Sequence, residues 1–219
     1  MKILIVGRDQ HHQESIQKFG DTHQYTLLTG HDTLPTHLDT ADLILDFIIA
    51  EQPANFAVYR KTPTPVFLNT VTRSLAALAA PRFHPGRMVG FNGMHTLLHR
   101  PLLELALWSK EDEPWVNSIC EKLQTKYVLV EDRVGLVTPR VVCMIINEAY
   151  YTAMEGTATK ESIDLAMKLG TNYPYGPFEW CARIGIRQVY ELLDAVYADT
   201  KDERYKICPL LRQEYLRSE

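Results

Sequence analysis

The chain of 219 residues contains eight histidines and four cysteines, the side chains best suited to metal binding and nucleophilic catalysis. The segment His95-x-x-x-His99 has the spacing at which two imidazoles share one face of a helix and can hold a metal ion. Gly93 and Pro101 disfavour a helix at this point, and no acidic side chain is adjacent to supply a third ligand. We therefore expect no metal site.

The cysteines lie in the second half of the chain, from Cys120 to Cys208, and show no C-x-x-C spacing. A chain of this length can bury a sizeable core without disulfides. No small-residue cleavage site follows the apolar run at the N-terminus, so the sequence shows no secretory signal. We interpret the cysteines as reduced, packed thiols and predict a cytoplasmic location.

The composition is ordinary for a globular protein, with 46% hydrophobic and 23% charged residues. A formal net charge of -4 and a pI of about 6.1 argue against nucleic acid as the main partner. No apolar run approaches the ~20 residues that cross a bilayer, so we expect no contact with a membrane.

Short apolar runs alternate with short helical segments over the first three-fifths of the chain. Strands are predicted at 2–7, 25–28, 42–50, 65–68, 87–91, 102–108 and 127–130, and helices at 13–19, 55–60, 74–79 and 114–126. This alternation predicts an α/β domain over residues 1–131 with a mostly parallel sheet and helices on its faces.

From Gly135 onward every signal is helical. Thr138-Pro139 provides an N-cap and a first-turn proline, and the helix that it starts is expected to end at Gly156. Further helix starts are indicated at Thr159, Gly176-Pro177, Ile186 and Pro209. We therefore expect an all-α domain over residues 132–219.

Three segments of the second domain resemble, in order, the helical domain of the 3-hydroxyacyl-CoA dehydrogenases. They are 131–140 (EDRVGLVTPR), 163–170 (IDLAMKLG) and 173–179 (YPYGPFE), with Asn147-Glu148-Ala149 and Gly156 between the first two. The resemblance implies a Rossmann-like first domain, shortened here, followed by a helical domain of the 6-phosphogluconate-dehydrogenase C-terminal type. It also implies oxidation of 3-hydroxyacyl-CoA with NAD in fatty-acid metabolism, and a homodimer formed through the helical domain.

The resemblance assigns catalytic positions to the segment 90–104. Asn92 stands where the family has its catalytic His, His95 where it has a substrate-contacting Asn, and Glu104 at the Glu that orients the His. An amide does not titrate, so Asn92 cannot act as a base, whereas His95 can if it turns inward beside Glu104. The alternatives are a rim histidine at His95 and an outward-facing Glu104 on an alternating strand.

Substrate contacts are implied at two further places. Segment 69–75 resembles the family's Asn-Thr-Ser-Ser-Leu stretch, so Ser74 or Thr72 could donate a hydroxyl, although a helix N-cap is the commoner role of such residues. Arg140 could contact a CoA phosphate, a helix C-terminus or a structural ion-pair partner. Pro139 replaces the family's Asn and removes one amide donor.

The cofactor motif is reduced. A Rossmann-type site needs G-x-G-x-x-G after the first strand, so that the backbone can approach the diphosphate. The residues here are Gly7-Arg8-Asp9-Gln10-His11-His12, which leaves Gly7 and Arg8 as candidate contacts. NAD is implied by the resemblance, but Asp9 and His12 in glycine positions argue against a conventional site. We interpret His11-His12 as a solvated loop pair.

Two functions are consistent with these residues. The first is an oxidoreductase of 3-hydroxyacyl-CoA or a related hydroxy acid. The second is a catalytically inactive subunit of the same fold that binds acyl-CoA or dimerises. The short connection between the second and third strands leaves no room for the helical hairpin that contributes to the family's CoA site.

Overall fold

The computed structural model describes residues 1–80 and 86–218, which form two compact units, Met1–Leu136 and Val137–Glu219. The first unit contains a seven-stranded sheet with the spatial order β2-β1-β3-β4-β5-β6-β7. Its strands are β1 (Lys2–Val6), β2 (Gln24–Leu28), β3 (Leu43–Asp46), β4 (Val66–Asn69), β5 (Met88–Phe91), β6 (Leu102–Leu107) and β7 (Lys126–Leu129). Its helices are α1 (Asp9–Phe19), α2 (Leu75–Ala79) and α3 (Glu113–Lys122).

All neighbouring strands are parallel except β5 and β6, which confirms the mostly parallel sheet. β1, β3 and β4 are almost wholly buried runs of Ile, Leu, Val and Phe, as sheets covered on both faces require. The chain leaves β1 for β2 on one side and returns to β3 on the other. The crevice outside the carboxyl ends of β1 and β3 is therefore the topological switch point, where open α/β sheets bind ligands.

The connection between β2 and β3 is short, as predicted. Residues 29–42 contain two single turns of 3₁₀-helix, Leu34–Thr36 and Leu38–Thr40. A longer 3₁₀ segment, Pro53–Lys61, joins β3 to β4. In the described part of the chain, no helix is both long and apolar enough to cross a membrane.

The second unit is helical, which confirms the expected all-α architecture. Its helices are α4 (Thr138–Met154), α5 (Lys160–Thr171), α6 (Pro177–Ile184), α7 (Ile186–Thr200) and α8 (Pro209–Arg217). Thr159 caps α5 by accepting the N–H of Ser162 at 3.2 Å. Thr138 is the first residue of α4 rather than its N-cap, a difference of one position at the helix end.

The segment 132–136, which we expected at the start of the helical domain, is part of the first unit. The Asp132 carboxylate accepts the N–H groups of Leu75 and Ala76 at 2.7 and 2.8 Å. The Gly135 N–H donates to the Val71 carbonyl at 2.7 Å. These bonds satisfy the free amides at the start of α2, and they hold the segment against β4 and its following turn.

Candidate active site at the carboxyl edge of the sheet

A histidine and a carboxylate from distant segments meet at the carboxyl edge of the sheet. His95 lies in the turns that connect β5 to the antiparallel β6, where no helix forms. Its Nδ1 is 3.2 Å from Oε2 of Glu14, a residue of α1. Oε1 of Glu14 accepts the N–H of Thr96 at 2.6 Å, and Nδ1 of His99 lies 3.8 Å from the same oxygen. We expected Glu104 beside His95, but the carboxylate found there is Glu14.

The two partners differ in exposure. The side chain of Glu14 is 8% exposed, whereas that of His95 is 31% exposed. The pair is within ion-pair distance, but its direction does not meet hydrogen-bond geometry. A buried carboxylate costs several kcal/mol of solvation unless it is paired, and the Thr96 N–H, which donates to Oε1, offsets part of that cost. A ligand can therefore approach the imidazole while the carboxylate stays shielded from water.

Asn92 and Glu104, the other two predicted catalytic residues, are both buried. The Asn92 side chain accepts the Met94 N–H at 3.1 Å, which stabilises the turn after β5. The Asn92 N–H donates to the backbone carbonyl of Glu104 at 3.1 Å. The alternative of an outward-facing Glu104 is wrong, because this side chain is buried within β6.

Strand ends around the switch point are joined by Asn69 at the end of β4. Its amide nitrogen donates to the Phe47 carbonyl, and its amide oxygen accepts the Gly93 N–H, each at 3.2 Å. One side chain thus joins the ends of β3, β4 and β5. This bridge fixes the start of the turn that carries His95.

The turn between β1 and α1 is filled by a side chain of its own helix. The ring of His11 stacks on Phe47 with centroids 4.5 Å apart and planes 7° apart, and its Nδ1 accepts the Arg8 N–H at 3.0 Å. A Cβ added at Gly7 would lie 2.5 Å from this Nδ1. The expectation of a solvated loop pair is wrong, because His11 and His12 both belong to α1 and His11 is 5% exposed.

The His11 ring is uncharged at neutral pH. Burial lowers its pKa from 6.5 to about 4, with smaller contributions from the charges of Arg8 and His95. The ring therefore accepts a hydrogen bond from the turn as a neutral base. A neutral ring in this place offers no positive charge to a phosphate.

Arg8, the second candidate cofactor contact, is paired with a carboxylate. Its two terminal nitrogens donate to the two oxygens of Glu51 at 2.9 and 2.7 Å. Both side chains are largely exposed, so the pair contributes about 1 kcal/mol or less to stability. The guanidinium therefore pairs with a carboxylate of the protein itself, whereas the sequence had suggested a contact with a phosphate.

Ser74, Thr72 and Arg140, the predicted substrate contacts, lie in different local environments. The Ser74 hydroxyl accepts the Ala77 N–H at 3.2 Å and is the N-cap of α2. Thr72 is half-buried in the bend before α2. In the second unit, the Arg140 guanidinium lies 5.5 Å from the ring centroid of Tyr205.

A buried polar cluster at the carboxyl end of β3 was not predicted from the sequence. Nε2 of His31 lies 2.7 Å from Oδ2 of Asp46, the last residue of β3. The Tyr59 hydroxyl donates to the same oxygen at 2.8 Å, and Oδ1 of Asp46 accepts the Ile48 N–H at 2.9 Å. Burial would lower the pKa of His31, but the hydrogen bond and charge of Asp46 outweigh it, and the net pKa is raised.

The cysteines are free and buried, as the sequence predicted. Burial raises the pKa of Cys120 to about 12 and that of Cys181 to about 11, so both are protonated thiols at neutral pH. Over residues 1–80 and 86–218, no three His, Cys, Asp or Glu side chains are close enough together to hold a metal ion.

The amino-acid sequence of this chain is similar to sequences of known dehydrogenases. Residues 135–218 match the family model for the 3-hydroxyacyl-CoA dehydrogenase C-terminal domain. A protein of Bacillus subtilis named probable 3-hydroxybutyryl-CoA dehydrogenase is 31% identical over 182 residues, which are 79% of this chain and 63% of that protein. Residues 135–218 are a C-terminal domain of the 3-hydroxyacyl-CoA dehydrogenase family. The 3-hydroxyadipyl-CoA dehydrogenase of Escherichia coli K12 is 45% identical over 94 residues, 42% of this chain and 20% of that protein.

The chain therefore spans less than two thirds of the length of these curated relatives. Among solved structures, the (S)-3-hydroxybutyryl-CoA dehydrogenase PaaH1 from Ralstonia eutropha superposes with a TM-score of 0.74 at 20% identity. That match covers 99% of this chain and 94% of the other. At this identity the likeness establishes the fold.

The family motif of the helical unit has a structural explanation. The Asp164 carboxylate accepts the N–H groups of Phe178 and Glu179 at 2.8 and 3.1 Å, and so caps α6. A Cβ at Gly176 would lie 2.3 Å from that carboxylate, so glycine is required there. Asn147 of α4 bonds to the Lys206 carbonyl and the Cys208 N–H at 3.0 and 2.9 Å. These residues identify the family through packing and capping.

Proposed function

We propose that this chain is an oxidoreductase of a 3-hydroxyacyl-CoA thioester or a related hydroxy acid, with His95 as the group that takes the hydroxyl proton. The observation that carries the proposal is the 3.2 Å approach of His95 to the buried Glu14 at the carboxyl edge of the sheet. Ligands of this fold class bind at that edge. Relatives named as 3-hydroxybutyryl-CoA and 3-hydroxyadipyl-CoA dehydrogenases support the substrate class.

The proton step follows from the orientation of the imidazole. Nδ1 of His95 is the ring nitrogen within ion-pair distance of Glu14, which leaves Nε2 to accept the proton of the substrate hydroxyl. The carboxylate then stabilises the imidazolium that forms, as the third group of a catalytic triad does. Glu14 acts as a positioning residue for His95.

NAD is implied by the family and, when bound, supplies the hydride acceptor. The turn between β1 and α1 does not fit its diphosphate as the residues stand, because the His11 ring fills the space beside Gly7 and takes the Arg8 amide. Glu51 holds the Arg8 guanidinium. The proton step is thus the part of the reaction that the described side chains support.

Other predicted residues take lesser roles in this proposal. Asn92 and Glu104 shape the turn that carries His95, through one side-chain and one backbone hydrogen bond. Ser74 accepts a capping bond but keeps its own proton, so it can still donate to a substrate. Thr72 and Arg140 remain candidate substrate contacts.

The deciding experiment follows NADH absorbance at 340 nm with acetoacetyl-CoA and the full chain. We expect turnover that falls by about 100-fold or more in His95→Gln, because general-base catalysis contributes that much. Glu14→Gln should lower kcat by about tenfold or more and leave KM within about twofold, since Glu14 acts through His95.

The matched control is His99→Gln, which removes the neighbouring imidazole at 3.8 Å from Glu14 and should keep most of the activity. Absence of turnover at high protein concentration would contradict the proposal. Equal loss in the His95 and His99 variants would contradict the assignment of the base.

A second function is favoured by His11 in the cofactor turn, namely a subunit that binds acyl-CoA without catalysis. In a thermal-shift assay such a protein is stabilised by acetyl-CoA or acetoacetyl-CoA and not by NADH. Stabilisation by NADH alone would exclude it.

The helical unit is the proposed site of homodimerisation. Leu165 and Leu169 of α5 and Val141 of α4 are large apolar side chains that are exposed to solvent. Where such side chains form one contiguous patch, they mark a protein–protein interface. The four buried, free cysteines suit a reducing compartment, which supports the proposed cytoplasmic location.

A further inference from the structure

The imidazole ring of His11 fills the turn between β1 and α1. Its Nδ1 lies where a side chain at position 7 would begin, 2.5 Å from the place of a Cβ. The ring is 5% exposed and is stacked on Phe47 with an interplanar angle of 7°. Three elements thus contribute to one filled site: the end of β1, the first turn of α1 and the residue after β3.

This place is where a dinucleotide would need room. In Rossmann-like folds the diphosphate lies at the turn that begins with the first glycine, and it receives N–H donors from the start of the following helix. Here the Arg8 N–H already donates to His11 Nδ1 at 3.0 Å. The space and one amide donor of the turn are both used by the same ring.

The contacts that hold the ring do not depend on charge. The neutral imidazole combines the roles of an N3 capping acceptor and an aromatic partner. His12, the next residue, has a different environment. Its ring is half-buried and lies edge-on to Tyr25, with centroids 6.0 Å apart.

We propose that His11 closes the dinucleotide turn from within, so that a dinucleotide diphosphate enters only when the ring leaves its place between Gly7 and Phe47. The proposal concerns the cofactor step of the proposed function, which it deepens. Residue 11 therefore controls the affinity for the dinucleotide, whereas the proton step belongs to His95.

The test is calorimetric titration of the full chain with NADH. His11→Ala removes the ring and should bind NADH at least about tenfold more tightly than the natural sequence, a gain of about 1.4 kcal/mol. His12→Ala is the matched control, since it removes a neighbouring imidazole outside the turn, and its affinity should lie within about twofold of the natural sequence. Circular dichroism verifies the fold of each variant.

Two further measurements keep the test decisive. If His11→Ala does not fold, His11→Ser retains a small acceptor for the Arg8 amide and should show the same gain. In the natural sequence, NADH at millimolar concentration should shift the ¹⁵N–¹H signals of Arg8 and His11. Equal affinity in the natural and ring-free proteins, or NADH binding that leaves these signals unchanged, would overturn the proposal.

These outcomes are separable from the activity assay. Tight NADH binding by His11→Ala without turnover would support the closed turn and count against the oxidoreductase. Turnover with an unchanged affinity in His11→Ala would support the oxidoreductase and overturn the closed turn.

Discussion

The imidazole Nε2 of His31 lies 2.7 Å from the Asp46 carboxylate, and both side chains are buried at the carboxyl end of β3. The pKa of His31 is raised above 6.5, because the hydrogen bond and charge of Asp46 outweigh the effect of burial. Below pH 6.5 the folded and unfolded chains both carry the proton, and the stabilisation is complete. As the pH rises through the raised pKa, the folded state loses the proton and this contribution disappears.

We therefore expect the free energy of unfolding of the natural protein to fall, relative to His31→Gln, as the pH is raised from 6 to 9. The measurement is urea unfolding of both proteins across this range. Taking the difference removes titrations that the two proteins share. A difference that stays constant with pH would contradict the raised pKa.

Tyr59 tests the same cluster from another side. Its hydroxyl donates to Asp46 at 2.8 Å in the core. Tyr59→Phe should destabilise the fold by about 1.5–3 kcal/mol, the usual cost of losing a hydrogen bond to a charged group. Tyr197→Phe is the control, because that hydroxyl donates to Glu203 at 3.0 Å on the surface, and its cost should be about 0.5 kcal/mol or less. Similar costs for both variants would refute a special role for the buried cluster.

Asp164 is expected to matter through the start of α6. Replacing it by Ala removes the acceptor of the Phe178 and Glu179 N–H groups, which should cost about 1–2 kcal/mol of stability. Asp164→Asn keeps one acceptor oxygen and should cost less. Asp194→Ala, an exposed position of α7, should change the free energy of unfolding by about 0.5 kcal/mol or less. The ranking of the three variants, measured by denaturant unfolding, is the decisive result.

Leu169 tests the proposed dimer. This side chain is 78% exposed on α5. If the helical unit forms a self-complementary interface, Leu169→Glu places like charges from two copies near each other and should shift the sedimenting species toward the monomer mass of 25.1 kDa. Leu102→Glu changes an exposed leucine of the first unit and should leave the mass unchanged. A monomeric natural protein, or the same effect in both variants, would contradict the dimer through α5.

Most of the fold could be predicted from the sequence because its signals are local. Thr159 caps α5 and Gly176-Pro177 begins α6, so each signal lies at the helix end that it predicts. The apolar runs that form β1 and β4 are short and end at residues that favour turns. Such signals need no knowledge of distant contacts. The start of α4 differs by one residue, whereas α1 begins four residues earlier than predicted and β3 ends four residues before the predicted strand does.

The site was harder to predict because its partners are distant in sequence. The bond from Thr96 to Glu14 spans 82 positions, and no spacing rule connects them. A partial signal existed, because His11 and Glu14 are three positions apart and share one face of a helix. Once α1 is extended back to Asp9, both side chains belong to the buried face of this helix.

The sequence contains one indication of the buried cluster around Asp46. An acidic residue in the middle of the apolar run 42–50, which itself begins with Asp42, is unusual, because buried carboxylates require partners. The run itself predicted only a buried strand. The partners, His31 and Tyr59, come from the connections on either side of that strand, so only the structure brings them together.

The Asp132 carboxylate at the start of α2 affects how the protein can be divided. A recombinant fragment that stops at residue 131 would lack the acceptor for the Leu75 and Ala76 amides, and also the Gly135 bond to Val71. A fragment that continues through Leu136 keeps all three bonds. The family signature at 131–140 is therefore a poor place to cut the gene, although it marks the beginning of the helical motif.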